Sequence, residues 1–344
     1  MTHTTMDEPA TTTLMKAVVQ DGYGQPEDVL EIREIERPQI GADSVLVQMR
    51  ATSVNTPDWI TTTGVPYLIR LQSGLRGPKT PVRGTDVAGV VEAVGANVTD
   101  LGPGDEVFGS SWTGSLSTQG TFAEYTVVLA SNVIEKPASL SFEEAGASGM
   151  SGLTALAAMR DVAEVGPGTR VLINGASGGV GTFAVQIAKT LGAEVTGVSS
   201  TRNLDLVRSL GADHVIDYTV EDFTSSERRY DVILDNVMNH PPSKTARVLD
   251  SAGIYMPNSV GNQGGFLAGL PRMARAALMG LGSTDVRTIG GWEPNRESLA
   301  ALAELLDSGA VEAVIDEGYP LEDAANAVTH MLGHHARGNV VIEV

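Results

Sequence analysis

The chain has 344 residues, and its 42 Asp and Glu residues against 23 Lys and Arg residues give a formal net charge of −19. Because binding to nucleic acid or to an anionic membrane surface needs clustered positive charge, this balance argues against both as main partners. The chain contains no cysteine, which excludes disulfides, iron–sulfur clusters, thiolate zinc sites and a cysteine nucleophile. It has no run of about 18 apolar residues, so no membrane-spanning helix is predicted.

The N-terminal segment, residues 1–14, is predicted to be a disordered tail. Its first 13 residues are rich in threonine and lack the basic and then apolar pattern of a signal peptide. We therefore expect the ordered chain to begin near Met15 and the protein to be cytoplasmic.

Residues 15–137 have the pattern of short strands separated by glycine and proline turns. Long helical periodicity is missing here, and β-prone runs lie between turn residues. This part is therefore predicted to be mainly β. The predicted strands are Lys16–Val19, Ser44–Arg50, Asp86–Val94 and Thr121–Leu129.

The pattern changes at about residue 138. Ser141 and Glu144 have the spacing of a capping box, which predicts a helix that runs on through Met159. Strands and helices then alternate, as in a parallel sheet. The predicted strands are Arg170–Asn174, Glu194–Ser199, His214–Asp217, Asp231–Asp235, Gly253–Pro257, 313–316 and Asn339–Val344, and the predicted helices are Val180–Leu191, Asn203–Leu210, Asn295–Asp307 and Leu321–Leu332.

A glycine-rich turn lies between the first of these strands and the helix that follows it. Ala176, Gly178 and Gly181 occupy the three small-residue positions of a dinucleotide fingerprint. In that motif the turn, the approach of the pyrophosphate and the packing of helix on strand all require small residues. The helix N-terminus then offers free N–H groups to the phosphates. The predicted cofactor-binding residues of the turn are Ala176, Ser177, Gly178, Gly179, Val180 and Gly181.

The same turn also fits the G-x-S-x-G elbow of a serine hydrolase, with Ser177 as nucleophile. Asp235 and His330 follow in an order that permits a triad. The β-rich upstream chain has no His-Gly-Gly oxyanion loop, however, and the third glycine favours the nucleotide interpretation.

The end of the second strand selects the cofactor. An NAD site usually has Asp or Glu there, whereas this chain has Ser199, Ser200 and Arg202. Hydroxyl groups and a guanidinium suit a 2′-phosphate, so NADPH is favoured. The alternative is a polar loop with a solvated arginine.

Several further motifs occur in a specific order over Met15–Val344. They are Ser53-Val54-Asn55 with Asp58, GTDVAG at 84–89, PGDEV at 103–107, GLTA at 152–155, LGADHVIDY at 210–218 and Arg337-Gly338 followed by Val340-Val341. With the glycine-rich turn, they resemble the medium-chain dehydrogenase/reductase superfamily, specifically its zinc-free quinone oxidoreductase branch.

The resemblance implies an α/β fold: a Rossmann doubly wound parallel sheet plus a GroES-like, mainly β domain. The GroES-like catalytic domain would take residues 15–137 and, after a Rossmann NADP-binding domain over 138–288, residues 289–344. It also implies a homodimer formed through Rossmann edge strands, for which Asp285–Ile289 is a candidate edge.

The resemblance also assigns residues. Asn55 and Asp58 would lie near the nicotinamide and substrate, with Asn55 as the candidate that positions or polarises the substrate oxygen. The alternative is that both hold a loop through local hydrogen bonds. Thr154 would pack near the nicotinamide, Tyr218 near the adenosine phosphate and Asn236 near the nicotinamide ribose. Trp59, Tyr67 and Trp292 are candidate aromatic residues of the cleft.

The departures from zinc-dependent relatives predict a site without metal. Those relatives have Cys where Asn55 stands and His where Thr85 stands, and their structural lobe of four cysteines is missing here. His330 and His334 have a metal-compatible spacing but no evident third ligand, so a solvated helix face is favoured.

Without a strong Lewis acid, hydride transfer needs an acceptor that is already electron-poor. The sequence therefore predicts a metal-free, NADPH-dependent oxidoreductase that reduces a quinone or an α,β-unsaturated carbonyl compound. The alternatives are an enoyl or enone reductase of a biosynthetic pathway, the serine hydrolase, and a non-catalytic NADPH-binding protein.

Overall fold

The computed structural model describes residues 13–114, 120–259, 267–289, 293–333 and 336–344. The strands are β1 (Leu14–Gln20), β2 (Leu30–Glu36), β3 (Ser44–Ser53), β4 (Asp86–Val94), β5 (Glu106–Ser110), β6 (Tyr125–Leu129), β7 (Val133–Glu135), β8 (Arg170–Asn174), β9 (Glu194–Ser199), β10 (His214–Asp217), β11 (Tyr230–Asp235), β12 (Leu249–Pro257), β13 (Asp285–Val286), β14 (Ile315–Pro320) and β15 (Asn339–Glu343). The helices are α1 (Pro26–Val29), α2 (Thr56–Thr63), α3 (Arg70–Ser73), α4 (Phe142–Gly146), α5 (Gly149–Leu156), α6 (Gly179–Thr190), α7 (Leu204–Ser209), α8 (Pro242–Thr245), α9 (Leu270–Met279), α10 (Arg296–Asp307) and α11 (Ala324–Leu332).

One sheet is the predicted doubly wound parallel sheet. Its six strands have the order β10-β9-β8-β11-β12-β13, and every pair in it is parallel. Apolar, β-branched residues fill its central strands, as expected for a sheet covered by helices on both faces. The order of strands reverses between β8 and β11, and ligands of such sheets bind outside the carboxyl ends of the strands at that point.

The other large sheet is the GroES-like part of the fold. Strands β14, β15, β3, β4, β5 and β7 follow one another in it, and β6 also pairs with β3. The C-terminal strand β15 pairs antiparallel with β3, with Val341 opposite Ser53. Residues 339–343 therefore belong to the same sheet as the N-terminal strand β3. The described chain is therefore a mixed α/β protein of two large sheets, and β1 and β2 form a separate two-stranded antiparallel sheet.

One of the hydrophobic clusters joins the two large sheets. Ala51 and Ala88 of the GroES-like sheet lie in the same buried cluster as Leu153 of α5 and Ile173 of β8. Helices α4 and α5 carry small residues at this contact, which lets them pack closely between the sheets. The position of α5 is therefore fixed by its packing against both large sheets.

Several local predictions differ from the structure. Leu14 pairs with Glu36 in β1, so the predicted tail is wrong at that residue, and residues 1–12 lie outside the described part. The predicted strand at Thr121–Leu129 begins only at Tyr125. Strand β2 and helix α2 were not predicted. Among the described residues, no helix combines the length and the apolar character that crossing a bilayer requires.

Candidate functional site

The glycine-rich turn follows β8 at the point where the strand order reverses. Helix α6 begins at Gly179 with Gly178 as its N-cap. A Cβ atom on Gly181 would lie 2.1 Å from the carbonyl oxygen of Gly175, so only glycine lets the helix pack on the turn. A Cβ atom on Gly178 would meet nothing closer than 3.7 Å. The turn is therefore tight at its third small residue and open at its second, as pyrophosphate binding requires.

The C-terminal strand touches this turn. The backbone N–H of Gly338 donates to the carbonyl oxygen of Ser177 at 2.8 Å. Ser151 of α5 donates its hydroxyl to Oδ1 of Asn339 at 2.8 Å, directly beside Gly179. These contacts join the GroES-like sheet to the glycine-rich turn of the parallel sheet.

The residues predicted to hold the adenosine ribose and its phosphate lie together after β9 and β10. Ser199 is buried, Ser200 is half-buried and Arg202 is exposed. The backbone N–H of Tyr218 donates to the carbonyl oxygen of Ser199 at 3.1 Å, and the tyrosine side chain is exposed. The neighbouring Asp217 accepts hydrogen bonds from the hydroxyl groups of Thr201 and Thr219, which lower its pKa.

Three buried polar atoms along this edge have no hydrogen-bond partner. They are the hydroxyl oxygen of Ser199, Oδ1 of Asn203 and Nδ2 of Asn236. A buried polar atom without a partner costs free energy, so each of them favours a ligand that completes it. Asn236 directly follows β11, and Asn203 also donates to the hydroxyl of Ser177. The polar groups of a bound dinucleotide would supply hydrogen-bond partners for the three atoms.

The contacts of Ser177 do not form a hydrolase triad. Its hydroxyl accepts a hydrogen bond from Nδ2 of Asn203 at 3.0 Å. Asp235 accepts from Asn174 and Tyr255 instead, and the ring of His330 contacts Asp316 and Tyr319. The other predicted histidine, His334, lies outside the described residues.

Asn55 and Asp58 lie in the GroES-like part of the fold, where the chain passes from the end of β3 into the first turn of α2. Oδ2 of Asp58 accepts the backbone N–H of Asn55 at 2.7 Å, and Oδ1 accepts that of Gly84 at 3.0 Å. Both carboxylate oxygens are thus used to hold two loops together. Burial and the nearby Asp86 carboxylate raise the pKa of Asp58 to about 7.

Asn55 belongs to a buried polar network centred on Asp86. Its amide Nδ2 donates to Oδ2 of Asp86 at 2.7 Å and lies 3.1 Å from the hydroxyl of Ser53 and 3.3 Å from that of Thr85. Asp86 also accepts the hydroxyl of Ser53 and the backbone N–H of Met150, both at 2.5 Å. Burial raises the pKa of Asp86 to about 6.

Met150 belongs to α5, which also carries the buried Thr154. The Asp86 network therefore connects Asn55 with the helix of the predicted nicotinamide-contacting residue. Ser151 of the same helix leads on to the glycine-rich turn through Asn339. The two groups of predicted site residues are thus joined through α5.

A small pocket opens beside this network. Three of its lining residues were not predicted as site residues: Thr85, Trp112 and the buried Arg83. Trp59 lies in the core and Tyr67 stacks with Arg70, so neither lines the pocket, and Trp292 lies outside the described residues. The lining residues are Pro57, Asp58, Thr61, Val82, Arg83, Gly84, Thr85 and Trp112.

Thr85 is suited to act as a donor in this pocket. Its hydroxyl oxygen lies within hydrogen-bond distance of Nδ2 of Asn55, and this amide nitrogen can only donate a hydrogen bond. The hydroxyl hydrogen of Thr85 therefore points to another acceptor. A substrate oxygen in the pocket would supply one.

The residues at this position do not fit a zinc ion. Zinc in proteins usually has about four ligands drawn from thiolates, imidazoles and carboxylates. Here Asn55 and Thr85 bond to each other, and the oxygens of Asp58 and Asp86 already accept hydrogen bonds. In the described ranges no group of three or more His, Asp or Glu side chains is placed to hold a metal ion.

Two family models match the chain. The alcohol dehydrogenase GroES-like domain matches residues 41–138, and the zinc-binding dehydrogenase domain matches residues 210–342. The first contains the Asn55–Asp86 network, and the second contains Tyr218 and Asn236.

Curated relatives match over nearly the full length. The chloroplastic quinone-oxidoreductase QR1 of Triphysaria versicolor is 33% identical over 96% of this chain and 98% of its own. The trans-enoyl reductase pgmF of Aspergillus terreus is 32% identical over 89% of this chain and 87% of its own.

Solved structures agree in fold. The quinone oxidoreductase from Coxiella burnetii has a TM-score of 0.84 at 27% identity, and covers 96% of this chain and 100% of its own. The Escherichia coli quinone oxidoreductase complexed with NADPH has a TM-score of 0.78 at 25% identity, over 96% of this chain and 99% of its own.

Proposed function

Because the chain belongs to the quinone oxidoreductase branch of the medium-chain dehydrogenase/reductase superfamily, we propose that it reduces quinones or α,β-unsaturated carbonyl compounds with NADPH and without a metal ion. The observation that carries the proposal is the row of three unpartnered buried polar atoms, on Ser199, Asn203 and Asn236, along the edge that begins at the glycine-rich turn. A nicotinamide dinucleotide lying along that edge would satisfy them.

The cofactor is held by the residues on the parallel sheet. The open space at Gly178 and the N-terminus of α6 receive the pyrophosphate. Ser199, Ser200 and Arg202 favour the 2′-phosphate of NADPH, since none of them is an acid that would repel it. Asn236 takes the nicotinamide ribose, and Thr154 packs at the nicotinamide end.

When bound, NADPH supplies a hydride, so the acceptor gains two electrons and takes its balancing proton from solvent. The protein has to orient the acceptor and stabilise the oxygen that gains charge. In the described pocket that stabilisation comes from hydrogen bonds, because Asn55 and Thr85 provide neither thiolate nor imidazole for a zinc ion. The acceptor must therefore be electron-poor, as quinones and enones are.

Thr85 is the hydrogen-bond donor that we assign to the substrate oxygen. Both amide hydrogens of Asn55 are directed at Asp86, Ser53 and Thr85, so Asn55 positions Thr85 rather than donating to the substrate. Asp58 holds the loops of Asn55 and Gly84 in place. Asn55 and Asp58 are thus positioning residues in this proposal.

The relatives support both acceptor classes, since one is described as a quinone oxidoreductase and another as a trans-enoyl reductase. The two classes share the requirement for an electron-poor acceptor. A non-catalytic NADPH-binding protein would bind the cofactor without turnover.

Oxidation of NADPH, with NADH in parallel, tests the proposal against a benzoquinone, a naphthoquinone, a linear enone and an aliphatic aldehyde, with and without a chelator. We expect turnover with the quinones or the enone, preference for NADPH and no effect of the chelator. Turnover of the aldehyde that the chelator abolishes would contradict it. Binding of NADPH without turnover on any acceptor would support the non-catalytic alternative.

A cytoplasmic homodimer is part of the same proposal. Strand β13 lies at the edge of the parallel sheet, although it spans only Asp285–Val286 of the predicted Asp285–Ile289. An edge strand has unpaired backbone groups with which a second copy can pair. Light scattering tests this, with twice the 35.9 kDa mass of the chain as the expected value.

A further inference from the structure

Arg83 is a buried cation in the wall of the pocket. Only 4% of the residue is exposed. Its Nη2 donates to the carbonyl oxygen and the hydroxyl of Thr80, whereas its Nε is buried without a partner. Of the ion pairs in the described part of the chain, none includes Arg83, so no carboxylate oxygen lies within 4.0 Å of it.

The groups around Arg83 do not neutralise it by direct contact. Asp58 and Tyr23 are the titratable groups that act on its charge. Both oxygens of Asp58 accept backbone N–H groups instead, and Tyr23 bonds to Ser73 and Gly74. Burial lowers the pKa of Arg83 to about 10, so the guanidinium stays protonated near neutral pH. A buried charge without a direct counter-ion is costly.

We propose that Arg83 is a specificity-determining residue that binds a carboxylate of the substrate, so that the preferred acceptor is an enone or quinone that carries a carboxylate group. This inference rests on the proposed function. A carboxylate is the group that a guanidinium binds best, through charge-assisted hydrogen bonds. It would satisfy Nε and pair the buried charge in a single contact.

The position of Arg83 suits this role. Arg83 lies two residues before Thr85 in the loop that leads into β4, and both line the same pocket. Thr85 would donate to the carbonyl oxygen while Arg83 holds the carboxylate of the same molecule. Trp112 lines the same pocket and offers an apolar surface to a planar substrate. The substrate must then be short, since its two oxygen groups are held by neighbouring residues.

Acetylacrylate and its methyl ester are a matched pair of acceptors for the test. Both are enones, and only the acid has a negative charge at about pH 7. The two differ in intrinsic reactivity, so the quantity to compare between variants is the acid-to-ester ratio of kcat/KM. The variants are wild type, Arg83→Gln, Arg83→Lys and the control Arg76→Gln, which changes an exposed arginine in the same region.

We expect the acid-to-ester ratio to fall by at least about tenfold in Arg83→Gln, because a charge-assisted contact is lost. Arg83→Lys should keep part of the ratio, and Arg76→Gln all of it. An unchanged ratio in Arg83→Gln, or an equal loss for both acceptors, would overturn the inference. Circular dichroism and the Tm show whether each variant is folded.

Calorimetric binding of laevulinate, the saturated counterpart of acetylacrylate, separates this inference from the proposed function. Folded wild type should bind it in the presence of NADP⁺, and Arg83→Gln should bind it at least about tenfold more weakly. If wild type reduces neither acceptor yet binds laevulinate through Arg83, the proposed function fails and the carboxylate site stands. If wild type reduces the ester and binds no laevulinate, the carboxylate site fails alone.

Discussion

Asn55 donates its amide to the buried carboxylate of Asp86 at 2.7 Å. The bond links the loop before α2 to β4, and the backbone N–H of Met150 binds the other oxygen of Asp86. One carboxylate therefore sets the positions of Asn55 and of the helix that carries Thr154. Because a carboxylate accepts but does not donate, it also fixes which way the Asn55 amide faces.

Replacing this carboxylate should destabilise the fold. In Asp86→Asn, one acceptor oxygen becomes an NH₂ group that faces N–H or O–H donors, and a buried donor loses its partner. We expect the free energy of unfolding to fall by about 2–3 kcal/mol in urea denaturation. The exposed control Asp205→Asn should change it by less than about 0.5 kcal/mol. A loss in Asp86→Asn no larger than in the control would contradict the role of Asp86.

The buried carboxyl of Asp58 should make stability depend on pH. Its pKa in the folded protein is about 7, above the ordinary value of 3.8, so folding favours its protonated form. Its contribution is present in full below about pH 4 and is lost as the pH rises through about 7. We expect the free energy of unfolding of wild type to fall with pH over this window more steeply than that of Asp58→Asn, by up to about 1.4 kcal/mol per pH unit. Parallel curves for the two proteins would show that Asp58 does not titrate in this way.

Thr85 should affect turnover more than cofactor binding. Thr85→Val removes the hydroxyl that we assign to the substrate oxygen and keeps the shape of the side chain. The kcat for an enone should fall about 10- to 100-fold, with the Kd for NADPH unchanged. Thr85→Ser should restore most of the loss. A Thr85→Val enzyme with wild-type kcat would remove Thr85 from the mechanism.

Two glycines of the cofactor turn should respond in opposite ways to alanine. Gly178→Ala has room in the fold, with the nearest atom 3.7 Å from the new Cβ atom, but it fills the space that we propose for the pyrophosphate. Gly181→Ala places Cβ 2.1 Å from a backbone oxygen, so the backbone must shift. We expect weaker NADPH binding with an unchanged Tm in Gly178→Ala, and a lower Tm in Gly181→Ala. The reverse pattern would mean that the phosphates lie elsewhere.

Arg202 should determine the preference for NADPH. Loss of a charge-assisted hydrogen bond to the 2′-phosphate should raise the KM for NADPH about 10- to 100-fold in Arg202→Ala and leave that for NADH within about twofold. Arg208→Ala, which breaks a surface pair with Asp205, is the matched control. An equal rise for both cofactors would point to a structural role of Arg202.

The parallel sheet could be predicted closely because its strands contain β-branched apolar residues between turn residues. Arg170–Asn174, Glu194–Ser199 and His214–Asp217 have the predicted bounds. Buried β-branched runs between turn residues are a strong local signal. The position of the glycine-rich turn between a strand and a helix could also be predicted, because the motif lies in consecutive residues.

Helix α2 could not be predicted from periodicity. It ends in three threonines, which have low helix propensity. In the structure the hydroxyls of Thr61, Thr62 and Thr63 donate to the carbonyl oxygens four residues earlier, at 2.6, 2.9 and 2.9 Å. The spacing of Asn55 and Asp58 carried the signal that was missed, since Asp58 at the third helical position accepts the N–H of Asn55, as in a capping box.

The pocket could not be predicted because segments distant in the chain form its wall. Arg83 and Thr85 come from the loop before β4, Pro57 and Thr61 from α2, and Trp112 from the loop after β5. An arginine before the GTDVAG motif looks like a surface residue in the sequence. Only the packing shows that it is buried, with Nε unpartnered.

Transfer of deuterium from NADPH labelled at C4 of the nicotinamide to a linear enone tests the central claim most directly. We predict product with one deuterium at the carbon β to the carbonyl, at a rate that a chelator leaves unchanged. Product without deuterium from either face of the labelled cofactor, or activity that is lost with the chelator and restored by zinc, would contradict direct, metal-independent hydride transfer.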